Sequence, residues 1–191
     1  MDVIPPRDPV SGCIPPGRYS TSLAEIQAEF VEPFISQPES IREILWQKLA
    51  DYLTRWNHAE KKAEEKLLLG LWFAGSFITD RQEPDDIDLT AIYDGAKMST
   101  MEGKPGSREL RKLAGLRHRK AGEHGIEVYP LPWRSIASTL FTEKLTLHDS
   151  QYLVKLGALD DFWQRKPPIT KDAAPIAPLV KADRGYLEVM F

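Results

Sequence analysis

The chain has 191 residues, 42% of them hydrophobic and 28% charged, with a formal net charge of -3. That balance excludes disordered, collagen-like and membrane-embedded classes, and a chain this long buries well over half of its unfolded surface without disulfides or structural metal. The single Cys13 cannot form an internal bridge, and His58, His118, His124 and His148 are scattered without ligand spacing, which excludes Cys/His zinc chemistry.

Proline marks both ends: Pro5, Pro6, Pro9, Pro15 and Pro16 on one side, Pro167, Pro168, Pro175 and Pro178 on the other. The ring removes a backbone donor and fixes φ, so these stretches read as extended. The expected organisation is an extended N-terminal segment (1–20), one domain (21–166) and a proline-rich C-terminal segment with a terminal strand (167–191). With no basic-then-apolar leader and no apolar run near the ~20 residues that span a bilayer, the expected setting is cytoplasmic, with no membrane partner.

The first helix is predicted to begin near Ser22, where Ser22-Leu23-Ala24-Glu25 is a capping box, and to end before Pro33. A longer one starts near Ser40, with Glu43 as its reciprocal partner. It carries Ile41, Ile44, Leu45, Leu49, Tyr52, Leu53 and Trp56 at spacings of three and four, an apolar stripe for packing on a sheet. Glu60 to Lys66 is a mixed-sign, solvated run. Leu67 to Ala74 is continuously apolar and suits a strand buried on both faces. Gly75-Ser76 is a turn, and Asp86 to Tyr93 a strand with Ile87, Leu89 and Ala91 alternating against Asp86, Asp88 and Thr90. Residues 95–106 read as a loop, 107–121 as a basic helix, and 125–129 as a strand stopped by Pro130 and Pro132. Residues 135–163 are mainly helical, with Leu140, Phe141, Leu145, Leu153, Leu156 and Phe162 as apolar positions; Gly185 to Met190 is read as an edge strand. The fold class is α/β or α+β, a sheet layered with helices.

The stretch from Ala74 to Leu89 carries the chemistry. A glycine after a buried strand lets backbone N–H groups and the Ser76 hydroxyl approach a phosphate. Asp86 and Asp88 are two apart in a strand, so they share a face with Cα atoms roughly 6.5 Å apart. Two carboxylates side by side repel each other, and a divalent cation removes that penalty; magnesium takes such hard oxygen ligands while also holding substrate phosphates. Glu127 alternates against Ile126 and Val128 and brings a third carboxylate if its strand neighbours the aspartates. Three acids can hold two metals in a phosphoryl-transfer site.

In these residues, Gly75-Ser76, then nine residues, then Asp86-x-Asp88 and a later acidic strand at Glu127, the chain resembles the nucleotidyltransferase superfamily of the DNA polymerase β type. Within it the chain looks most like a bacterial family of small, uncharacterised nucleotidyltransferase-like proteins. These share a Pro-Pro-Gly segment (Pro15 to Gly17), a Gly-Ser-Phe-x-Thr turn (Gly75 to Thr79), a Glu-Pro-x-Asp-x-Asp approach (Glu83 to Asp88) and a C-terminal strand. The resemblance implies a mixed sheet with flanking helices. It also implies magnesium-dependent transfer of a nucleoside monophosphate from a nucleoside triphosphate to a hydroxyl of an RNA, including transfer RNA, or of a protein, in toxin–antitoxin or phage-defence settings. Asp86, Asp88 and Glu127 would be the catalytic and metal residues, with Asp94 or Asp149 as alternatives to Glu127. Gly75, Ser76, Thr79 and Arg81 would meet the nucleotide. The alternative is a catalytically silent subunit of the same fold that docks a protein or RNA partner.

From Lys104 to Lys120 seven basic residues stand against Glu109 alone. Arg108, Arg111 and Lys112 are candidates for triphosphate or RNA-backbone contacts, because guanidinium and ammonium groups suit phosphate; an exposed helix face is the other reading.

Overall fold

A computed structural model of the chain describes residues 4–35, 40–115, 125–136, 142–165 and 182–191. Ser22 and Glu25 form the expected reciprocal cap of helix α1 (Leu23–Phe30). Ser40 accepts from the Glu43 amide at the start of α2 (Ile41–Ala63), which satisfies a donor the first turn leaves open. The buried face of α2 is Arg42, Leu45, Leu49, Tyr52, Trp56, Ala59 and Ala63. Its rows of three and four continue the apolar stripe in both directions and add a charged residue at the start. The run from Glu60 is partly structural: Glu60 to Ala63 close α2, and the Glu60 carboxylate accepts from the amides of Leu67 and Leu68 at 2.7 and 2.6 Å.

The strands are β1 (Gly17–Ser20), β2 (Leu68–Ala74), β3 (Asp86–Asp94), β4 (Gly125–Trp133) and β5 (Gly185–Met190). They form one sheet in the order β1-β5-β2-β3-β4. β1 and β5 are parallel, as are β3 and β4; β2 is antiparallel to both β5 and β3. With α3 (Gly95–Thr100), α4 (Ser107–Ala114) and α5 (Leu147–Trp163) this is an α+β fold, a mixed sheet flanked by helices.

Three readings change. The C-terminal strand is no edge: β5 lies between β1 and β2, and Gly185, Tyr186, Leu187 and Val189 are all buried. β4 does not stop at its prolines but runs through Pro130 and Pro132, paired with Ala91 and Tyr93. It is an edge strand, and prolines two apart have the same parity, so both missing donors can fall on the free side. Residues 95–100 are helical because the Asp94 carboxylate accepts from the Lys97 amide and caps the turn. The basic helix is described only as Ser107–Ala114; Arg117, His118, Arg119, Lys120 and His124 lie outside the described residues, as do Leu140, Phe141 and the prolines of 167–178.

The register sorts the sheet into two faces. Trp56 of α2 packs near Tyr93, whose parity in β3 is that of Ile87, Leu89 and Ala91, so α2 covers that face. On the other face the Trp163 indole of α5 donates to Thr90 Oγ1 at 2.7 Å, and Trp163 packs edge-on against Tyr129. Asp86, Asp88 and Glu127 share this second face at its open end.

Candidate functional site

The strand register builds the site. Asp88 is paired with Glu127 across the parallel β3–β4 ladder, Asp86 with Gly125, and Asp88 with Ala74 across β2–β3. Side chains opposite one another in a ladder point to the same side. One carboxylate oxygen from each of Asp86, Asp88 and Glu127 accordingly lies within 4.8 Å of the others. In a magnesium shell with Mg–O near 2.1 Å, ligand oxygens are about 3 to 4 Å apart, so a small rotation closes the cluster on an ion. Asp86 is buried, while Asp88 and Glu127 are half-buried. The face is less open than its alternating carboxylates suggested, because α5 covers it as far as Thr90.

The glycine turn abuts this cluster. Gly75 has φ +72, and a Cβ built on it would stand 1.8 Å from Asp88 Oδ2. Only a residue without a side chain lets the backbone pass so close to the carboxylate while holding that φ. Gly75–Ile78 is a single 3-10 turn in which Ser76 follows the glycine that abuts Asp88. Thr79 has a different position in the loop: its hydroxyl donates to the Ser76 carbonyl at 2.7 Å and accepts from the Arg81 amide at 3.2 Å. Arg81 pairs with Asp85 at 3.1 Å, both side chains more than half exposed.

Arg42 fixes the far side of the turn, and sequence reading missed it. Its guanidinium donates to the carbonyls of Phe30 (2.7 Å), Phe77 (2.6 Å), Thr79 (2.9 Å) and Arg81. It stacks over Phe34 with its carbon 3.9 Å from the ring centre, and the residue has no exposed surface. Burial, with a smaller contribution from Arg7, pushes its pKa down to about 10, so it remains charged at neutral pH. The signal was available: the α2 stripe, extended one step back from Leu45, lands on position 42. Arg184 was also missed. Its Nε donates to the Trp163 carbonyl at 3.0 Å; burial lowers its pKa while attraction to the nearby Asp88 works in the opposite direction. No spacing in the sequence connects a residue just before the last strand to Asp88.

The other candidates lie elsewhere. Asp94 is the α3 cap at the opposite end of β3, and Asp149 caps α5, bonded to Thr146 and Arg134. Arg108 and Lys112 line a hollow against the C-terminal end of α2, with Gly106 packed on Ala59; Arg111 is exposed on the same helix. Ala59 is about 25 Å along α2 from Arg42, at the helical rise of 1.5 Å per residue. The start of the basic helix is therefore far from the glycine turn, while its end lies beside Tyr52, whose hydroxyl donates to the Leu113 carbonyl.

No helix among the described residues is long and apolar enough to cross a membrane. No curated protein and no solved structure matches the chain. Residues 6–189, which include both flanking strands and the whole acid cluster, match the family of unknown function DUF6932, and the chain belongs to that family.

Proposed function

We propose that the protein is a magnesium-dependent nucleotidyltransferase, acting on a nucleoside triphosphate and a hydroxyl of an RNA or protein acceptor. The observation that carries this reading is the convergence of Asp86, Asp88 and Glu127 within 4.8 Å beside the Gly75 turn. These three carboxylates would hold magnesium, which supplies charge neutralisation for the triphosphate and a more acidic acceptor hydroxyl. Gly75 and Ser76 offer a backbone surface and a hydroxyl to the β and γ phosphates. Arg184 adds a fixed positive charge beside Asp88, available to phosphate oxygens. Glu127 takes the acceptor proton as the hydroxyl oxygen bonds to the α phosphorus; the bond from that phosphorus to the bridging oxygen breaks, and pyrophosphate leaves.

The test is incubation with magnesium and each of the four α-labelled triphosphates, with total transfer RNA and candidate protein partners as acceptors. Label transfer by the wild type and its loss by at least a thousandfold in Asp86→Asn/Asp88→Asn, as expected for removal of a group that stabilises transition-state charge, is the predicted result. Equal labelling by the variant contradicts it. The same Arg184 charge favours a second reading, a silent subunit of this fold, because a guanidinium also offsets carboxylate repulsion. Calorimetry with magnesium and each triphosphate separates the two: the silent subunit gives no heat at millimolar ligand.

A further inference from the structure

A second concentration of chemistry lies at the far end of the molecule, where the close of α2 meets the start of α4. A hollow of about 610 Å³ is lined there by Lys62, Lys104, Arg108 and Lys112, with Glu109 as the acid among them. Glu109 is committed to Arg55, whose Nε donates to it at 3.1 Å and holds its pKa below the usual carboxylate range. The four cations are exposed; Lys112 attracts Glu109, and among the described residues the four side chains make no hydrogen bond or close ion pair. Like charges held together around a concavity are unfavourable unless an anion enters.

The backbone points the same way. Gly106 caps α4 with φ +79, supplies no side-chain acceptor, and sits where a Cβ would stand 2.5 Å from the Ala59 carbonyl. The amides of Arg108 and Glu109 are first-turn donors with no acceptor in their own helix. Ser107 is nine-tenths buried on the wall of the hollow, and its hydroxyl has no partner among the described residues. Among the described residues the wholly buried side-chain atoms without a partner are Arg42 Nε and Trp56 Nε1, so the Ser107 hydroxyl is open to the hollow, where it can donate to an entering acceptor. Open amides, a positive helix end, a free hydroxyl and four ammonium or guanidinium groups are together the donor set that phosphate oxygens satisfy.

We propose that this hollow is a phosphate-binding site, in which Ser107 and the first-turn amides of α4 hold the phosphate oxygens and Lys62, Lys104, Arg108 and Lys112 balance the charge. The phosphate belongs either to a small free ligand or to the backbone of a single-stranded RNA. The site is independent of the transfer chemistry at the opposite end.

Inorganic pyrophosphate titrated calorimetrically into the full chain tests the first source. A fluorescein-labelled single-stranded oligouridylate followed by anisotropy at low and moderate salt tests the second. The probes are applied to wild type, to Lys104→Gln/Arg108→Gln/Lys112→Gln, and to Ser107→Ala. The proposal predicts saturable binding of at least one probe, weakened about tenfold or more in the triple variant and measurably in Ser107→Ala, and falling with salt. The probe that binds names the source. Asp88→Asn should bind as wild type does. Failure of both probes to saturate by millimolar concentration overturns the proposal, as does a triple variant that binds normally or an Asp88→Asn variant that loses binding.

Discussion

Arg42 shows how one buried charge can serve a site it never touches. Four carbonyls, one from the last residue of α1 and three from residues 77–81, converge on its guanidinium, and the ring centres of Phe34 and Phe77 lie 3.9 and 5.3 Å from its carbon. Residues 77–81 run from the glycine turn toward the strand that carries Asp86 and Asp88. A positive charge is costly to bury; the carbonyl dipoles make it tolerable, and attraction to Asp80 works in the same direction. Arg42→Met keeps the apolar stem and strands the carbonyls. We expect a stability loss of about 3 kcal/mol or more, read by denaturant unfolding, since each buried carbonyl left unpaired costs about 1 to 3 kcal/mol. An unfolding midpoint unchanged from wild type would contradict this role.

At the scale of elements, α5 limits how far the acidic face is open. It carries almost no amphipathic pattern, with Leu147 and Val154 exposed while Trp163 is buried, and so its docking depends on a few contacts near its end. The indole of Trp163 to Thr90, which is buried, is one; the Tyr186 hydroxyl to Asp160, which is half-buried, is another. Trp163→Phe retains most of the apolar contact but leaves the Thr90 hydroxyl buried without its partner. The expected cost is about 1 to 3 kcal/mol in chemical denaturation; a variant as stable as wild type would mean that α5 docks by other means. Periodicity and caps made α1, α2, β2 and β3 legible in the sequence, because three-and-four rows, strict alternation and Ser-x-x-Glu pairs are local signals. Strand order is not local. β5 looked peripheral because it is short and terminal, and β4 looked shorter than it is because proline normally ends a strand; only the edge position reconciles Pro130 and Pro132 with a continuous ladder.

Across the whole molecule, the sheet brings together chemistry that is dispersed along the chain. The Asp-x-Asp pair and the glycine turn were visible as adjacent motifs, and Glu127 followed from strand parity. Its place opposite Asp88 depends on the parallel crossover from β3 to β4, which the sequence does not encode at any one position. Arg184 reaches the same corner from the start of β5, and the basic hollow is carried to the opposite end by the length of α2. The proposed function rests on three carboxylates forming one cation site. Magnesium titrated calorimetrically into the full chain, alongside Asp88→Asn, tests it most directly. Saturable binding by the wild type below millimolar magnesium and at least a tenfold loss in the variant are expected; equal binding by the two proteins, or none by the wild type, would overturn the proposed site.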